Sequence, residues 1–598
     1  MIRSIAGSGM ECWKWAIIMF VVRSTLAMCP TKCSCFLDHK GRNTVLCKEG
    51  GMIGPLNLNN VSLDTEVLKI TAPDDNNNML TMSPVFQSYR KLEEIHITKS
   101  NVPQLGMHFF WGLRKLDVLN LSQNNITQPL DHNFRGLDKL KELYLDDNRI
   151  QSLPSGTFRY LHELKLLSIQ RNRITDLANR IFLEIGKLKA LKLSGNNLRE
   201  LNPEVFRDVQ ELRQFECRGC ALKKINKEVY RLLPYLSVLD MGDNEIKAIH
   251  ADDLKDLANV KVLKLDGNQI FSLHDNTFSN QIALRKLTLA RNELTKIGAN
   301  AFVELYNLTE LDLSYNKLEK IHDGAFEAVS STLEILALSG NQLKTHTLKE
   351  LGQLQALKEL KLSGCGITEY DLDIKKNITF PKNLESLDLS ANHISVMNTE
   401  FLPAKLKSLD IAKNRLRGID EYNLQRLDHL KSLNLQGNPW SCDLCYIVPL
   451  LERANRSATF SDILCVSPYT VRGKSLGMLE KGDLTWCTAA SYSTGDADYF
   501  LVSSDGNIGI IAASMSVCLL ILTILAIIGT LCYSRRHAAR YYTHEDKLAI
   551  EGENIVDNNH SPLFCDGELS FKFPLDNDSK KITISTIEDI KKEHSITT

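Results

Sequence analysis

The chain has 598 residues, 24% of them charged, with a formal net charge of −1. So even a balance gives it no overall pull toward nucleic acid or anionic lipid, which excludes binding to either by bulk charge. A chain this long ordinarily divides into several globular domains, unless its core grows along one axis by repetition.

Residues 1–28 have the shape of a secretory signal: Lys14, a short apolar run over residues 15–22, then Thr25, Leu26 and Ala27. The run is too short to span a bilayer. Residues 29–55 carry Cys29, Cys33, Cys35 and Cys47. On a secretory route such a group is expected to form disulfides, with a zinc cluster the disfavoured alternative. Residues 56–91 look like a degenerate first repeat, with Leu68 and Ile70 on its strand and a loop over residues 74–78.

Residues 92–437 repeat the pattern L-x-x-L-x-L-x-x-N-x-L, as in Leu140, Leu143, Leu145, Asn148 and Ile150. The asparagine slot recurs at Ser100, Asn124, Asn148, Asn172, Asn196, Cys220, Asn244, Asn268, Asn292 and Asn316, then less regularly to Asn438. This period and core resemble leucine-rich repeats. The L-x-L alternation sends two apolar side chains to one face of a short strand, and stacked units pair those strands about 4.8 Å apart. An amide at the slot can donate and accept, so a column of them can satisfy the backbone where the chain leaves the sheet. A second column ten residues on, from Phe110 through Phe134, Phe158, Phe182, Phe206 and Tyr230 to Phe326, is expected to form an aromatic spine. The fold expected is an α/β solenoid: a horseshoe of about 15 units with a parallel concave β-sheet and a disulfide cap at each end. Within the array, Cys217, Cys220 and Cys365 are read as buried free thiols, with a Cys217–Cys220 bridge the alternative. Extra residues around Lys375, Lys376 and Asn377 are expected to bulge away from the sheet.

Residues 438–487 close the array with Asn438-Pro-Trp-Ser-Cys442-Asp-Leu-Cys445, then Cys465 and Cys487. With the amino-terminal cysteines and the repeats, this segment resembles the extracellular single-pass leucine-rich repeat proteins that have two cysteine-rich flanks. The resemblance implies pairing of Cys442 with Cys465 and of Cys445 with Cys487. The usual flank has one residue between its first two cysteines, whereas Asp443 and Leu444 intervene here.

Residues 488–507 form a polar stalk. Residues 508–533 are uncharged and mostly apolar, long enough at about 1.5 Å per residue to cross a hydrocarbon core of about 30 Å. Arg535, Arg536 and Arg540 follow, which places the carboxyl end in the cytoplasm. The expected topology is a single-pass type I plasma-membrane protein with its repeats outside the cell. Its tail, residues 534–598, is polar, expected to be disordered, and carries no enzyme, leaving room for a cytoplasmic adaptor.

No catalytic constellation, metal site or cofactor motif emerges; histidines and carboxylates follow the repeat rather than converge. The expected activity is binding, through outward residues of the concave strands. Tyr144, Lys192, Glu216, Arg218, Asp240 and Lys264 are the candidates, a mixed-charge patch suited to discriminating among protein partners. Sequons outside the membrane lie at Asn60, Asn120, Asn125, Asn307, Asn377 and Asn455. These features point to a cell-surface receptor or adhesion protein for an extracellular protein or another cell-surface protein. The alternatives are an innate-immune recognition protein for microbial ligands and a cis-acting co-receptor or membrane scaffold.

Overall fold

Each repeat contributes one short strand to a single sheet, from Glu94–Ile97 to Ser432–Asn434. The computed structural model describes residues 29–372, 380–454 and 458–486, all within the unit Met1–Tyr492. The sheet has 18 strands, and every ladder is parallel except the amino-terminal hairpin of Cys33–Leu37 with Asn43–Cys47. Register is in step: Leu191 pairs with Leu167 and Phe215, and Lys192 with Ser168 and Glu216. Because side chains alternate along a strand, this keeps every central leucine inward; Leu143, Leu167, Leu191, Leu239 and Leu263 are fully buried.

The asparagine column forms the ladder that the spacing implied. Asn148 Nδ2 donates to the carbonyls of Leu121 at 3.0 Å and Leu145 at 3.1 Å, while its Oδ1 accepts the Ile126 N–H at 3.0 Å. Asn172 and Asn196 on the next two rungs, and Asn268 further along, repeat the geometry. Each amide therefore ties its own turn to the preceding one, where the sheet no longer supplies partners. Asn78, inside the segment expected to be a plain loop, also belongs to this column. It is fully buried, accepts the Met52 N–H at 2.9 Å and donates to Ser100 Oγ at 3.1 Å. Its spacing of 22 residues from Ser100 was the available signal.

The aromatic column is a spine: Phe110, Phe134, Phe158, Phe182, Phe206, Tyr230, Phe278 and Phe302 are fully buried. Phe302 and Phe326 stack with centroids 5.9 Å apart. The helical half of the expected α/β architecture is much reduced. Several units hold a 3₁₀ turn or a four-residue helix such as Pro203–Phe206, others hold none, and the longest helices among the described residues have seven residues. Once strand, turn and aromatic anchor are placed, a 24-residue coil leaves room for about one helical turn. The molecule is a parallel-sheet β-solenoid.

Disulfides Cys29–Cys35 and Cys33–Cys47 hold the amino-terminal cap, whose hairpin extends the sheet through the pairing of Asn43–Cys47 with Val67–Ile70. Cys442–Cys465 holds the carboxyl cap as the flank resemblance implied. Cys445 is also disulfide-bonded, and its expected partner Cys487 lies outside the described residues. Trp440, 1% exposed, plugs the last turn and donates its indole N–H to the Leu435 carbonyl at 3.2 Å.

The cysteines inside the array correct the sequence reading. Cys217 and Cys220 are joined rather than free. Cys217 ends its strand facing inward and Cys220 faces inward from the turn, which brings their Cα atoms to 5.6 Å, within bridging range. Cys365 has no such neighbour and remains a buried thiol. Among the described residues no helix is long and apolar enough to cross a membrane. The expected signal, stalk, span and tail, the bulge at Lys375, Lys376 and Asn377, and the sequon at Asn455 all lie outside the described residues.

Candidate functional site

The outward residues of the sheet form one continuous face, and register fixes their neighbours. Tyr144 lies between Asn120 and Ser168, while Lys192, Glu216, Asp240 and Lys264 occupy consecutive rungs. All six candidates thus lie on this face, Arg218 being two positions beyond Glu216 on the same side.

Their charges are largely matched within the face. Lys192 Nζ lies 3.3 Å from Glu216 Oε1, which also accepts from Gln214 Nε2 at 2.5 Å. Arg218 Nε lies 3.2 Å from Asp240 Oδ1, its Nη1 lies 2.6 Å from Asp243 Oδ2, and its Nη2 lies 2.6 Å from Asp266 Oδ1. Lys264 Nζ closes on Asp240 Oδ2 at 3.1 Å. Arg291 Nη2 reaches Asp243 Oδ1 at 3.1 Å and Asp266 Oδ2 at 2.8 Å. Arg218, Lys264 and Arg291 therefore stand against Asp240, Asp243 and Asp266, and the lattice is neutral.

Burial differs across the lattice. The side chain of Asp240 is 8% exposed, whereas Lys264 is 38% and Lys192 26% exposed. Asp240 and Asp266 lie low in the face, while Asp243 stands as open to solvent as the cations around it. Such a surface is held in place before any partner arrives, so docking costs less side-chain entropy than on a mobile charged face. Asp243, Asp266 and Arg291 were missed because the sequence reading, Arg218 apart, followed the column between the two strand leucines. Residues two and three places further still point to the same side as the strand ends, and their spacings of 25 and 48 residues from Arg218 follow the repeat.

Tyr144 belongs to a second group. Its hydroxyl donates to Glu142 Oε2 at 2.8 Å, and burial together with the neighbouring Glu142 pushes its ionisation upward, so it stays a neutral donor. Asp146 accepts from Ser168 Oγ and the Gln170 N–H, both at 2.6 Å. Burial nevertheless raises its carboxyl.

The sequons divide by position. Asn60 and Asn307 are exposed, and Asn120 and Asn125 half-buried. Asn120 is on the candidate face; its Oδ1 accepts the Ser122 N–H at 2.9 Å.

Comparison with known proteins follows the repeats. The leucine rich repeat family model matches residues 90–150, 138–198, 162–222, 210–270, 258–318, 306–367 and 382–439. SLIT and NTRK-like protein 5 of Mus musculus is 32% identical over 90 residues, covering 14% of this chain and 9% of that protein. Nephrocan of Mus musculus is 28% identical over 168 residues, covering 24% and 32%. Protein toll of Drosophila melanogaster is 29% identical over 136 residues, covering 22% and 12%. The chain thus spans at most 32% of the length of these relatives. Among solved structures, the Toll–Spatzle complex of Drosophila aligns with a TM-score of 0.51 at 23% identity, over 71% of this chain and 58% of that one, a likeness of fold. The chain belongs to the leucine-rich repeat family, with cysteine-containing flanks.

Proposed function

We propose that this protein is a cell-surface receptor or adhesion protein that binds an extracellular protein partner through the outward face of its sheet. The observation that carries the reading is the mixed-charge lattice on strands Ala190–Lys192 to Val262–Lys264, which is reachable by solvent and tied together by ion pairs. Tyr144, Lys192, Glu216, Arg218, Asp240 and Lys264 are its proposed contact residues, with Asp266 and Arg291 supporting them. A glycan at Asn120 would cover the amino-terminal part of the face and direct a partner to the middle of the array. Residues 508–533 are proposed to anchor the chain as a single-pass type I protein, on their apolar composition and the arginines after them.

The test is capture of cell-surface proteins by the soluble ectodomain, residues 29–505, with Lys192→Glu and Lys264→Glu combined. These changes place like charges beside Glu216 and Asp240 and should abolish capture while secretion is unchanged. Unchanged capture would move the site off the central strands. A second reading, recognition of microbial molecules, would use the same outward face. A glycolipid-binding panel set against an aggregation assay with transfected cells separates that reading from adhesion.

A further inference from the structure

Beyond the Arg218 lattice the sheet face dips. Strands Lys286–Thr288, Glu310–Asp312, Ile335–Ala337 and Glu359–Lys361 surround a depression of about 300 Å³. Its cause is one residue: the outward position between Asp312 and Lys361 is Ala337, whose methyl leaves empty the space a longer side chain would take. Ile335 supplies an apolar wall one step back along the same strand.

The charges around this depression are not fully matched. Lys286 Nζ lies 2.5 Å from Glu310 Oε2, and Lys361 Nζ lies 2.9 Å from Glu359 Oε1. Asp312 is left over. Its Oδ1 accepts the Ser314 N–H at 2.9 Å, and among the described residues it has no ion pair. Asp388, on the rung after Lys361, accepts among the described residues only a backbone N–H, from Ser390 at 2.9 Å. Two cations therefore face three carboxylates in the lining, with Asp388 adding a fourth alongside.

We propose that this depression is an anchor pocket for an arginine side chain of the protein partner. The aliphatic stem would lie on Ile335 and Ala337, and the guanidinium would meet the unpaired oxygen of Asp312. A planar, always-charged donor group on a long apolar stem suits a carboxylate beside an apolar wall, and arginine is a frequent anchor in such recesses. The inference rests on the reading that the sheet face receives a protein, and adds the place and chemistry of one contact.

The test needs no knowledge of the partner. The full chain carrying Ala337→Cys, purified in detergent, is treated with aminoethyl or sulfonatoethyl methanethiosulfonate, one cationic and one anionic. In either case the thiolate displaces methanesulfinate and forms a mixed disulfide, quantified by mass spectrometry against the parent chain. The cationic reagent should react about fivefold faster at low salt, and Asp312→Asn should bring the ratio toward one. Millimolar acetyl-Ala-Arg-Ala-amide should slow the reaction, whereas the citrulline tripeptide should not. Equal rates for the two reagents, or charge selectivity without arginine-specific protection, overturns the proposal. If Ala337→Cys fails to fold, Ile335→Cys provides the same readout from one step back along the same strand. A negative result here leaves partner capture by the sheet face intact, and loss of that capture in the Lys192/Lys264 variant leaves this assay unaffected.

Discussion

Arg218 and Asp266 are 48 residues apart, yet their side chains meet in a two-point contact, Nη2 to Oδ1 at 2.6 Å and Nη1 to Oδ2 at 3.0 Å. The guanidinium reaches two rungs because the rung between offers Gly242, where even a methyl group would collide with it. A missing side chain on one strand thus lets its neighbours join, and a row of local choices becomes a lattice across several repeats.

Removing the charge of Asp266 should cost about 2 kcal/mol at neutral pH, since it takes away the two-point partner of Arg218 and leaves that guanidinium with Asp240 and Asp243. Burial pushes the Asp266 carboxyl up, but the hydrogen bond and charge of Arg218, with Thr288 and Arg291, outweigh it and leave it below its ordinary value. A depressed folded value means the contribution is complete above the unfolded value of about 4 and is lost as pH falls through the folded one. Thermal melts of the parent chain and Asp266→Asn should differ by a constant margin between about pH 5 and 8 and converge below about pH 4. Parallel curves down to the acid limit would remove Asp266 from the ion-pair lattice.

Asn172→Ala should destabilise the array by about 3 kcal/mol in urea unfolding. The change strips donors from the Leu145 and Ile169 carbonyls, at 2.9 Å and 3.2 Å, and the acceptor from the Ile150 N–H at 3.0 Å, all out of reach of water. Exposed Asn60 makes no such bonds, and its alanine variant should unfold with the parent chain. Equal behaviour of the two variants would mean that the ladder contributes nothing.

Alkylation should separate the three cysteines inside the array. Without reductant, Cys217 and Cys220 should resist iodoacetamide even in denaturant, because they are bonded to each other. Cys365 should react only after unfolding, since burial pushes its thiol up to about 11 and leaves little thiolate at neutral pH. Peptide mass mapping reads both outcomes, and free Cys217 would restore the thiol reading of the sequence.

The exposed sequons at Asn60 and Asn307 should be occupied when the chain passes through a secretory route. Asn60→Gln and Asn307→Gln should each remove one glycosidase-sensitive step in gel mobility. Loss of no step at either site would count against the secretory topology.

The periodic part of this protein was legible without coordinates. A residue at a fixed place in each coil meets the same surroundings in every coil, so Asn148 declares the role of Asn172, and Phe134 that of Phe158. The cap cysteines were legible for a related reason: they cluster where a solenoid must end. What spacing could not decide is which of several equally near side chains a long residue reaches. The reach of Arg218 over Gly242 to Asp266 depends on what the coil between lacks, and the recess at Ala337 on a short side chain between two long ones. The bond between Cys217 and Cys220 forms inside one coil, where two inward side chains meet. The repeat determines where backbone and inward side chains go, because one packing solution recurs along the chain. The outward face escapes that rule, because its contacts form between coils and are selected only when the coils are stacked.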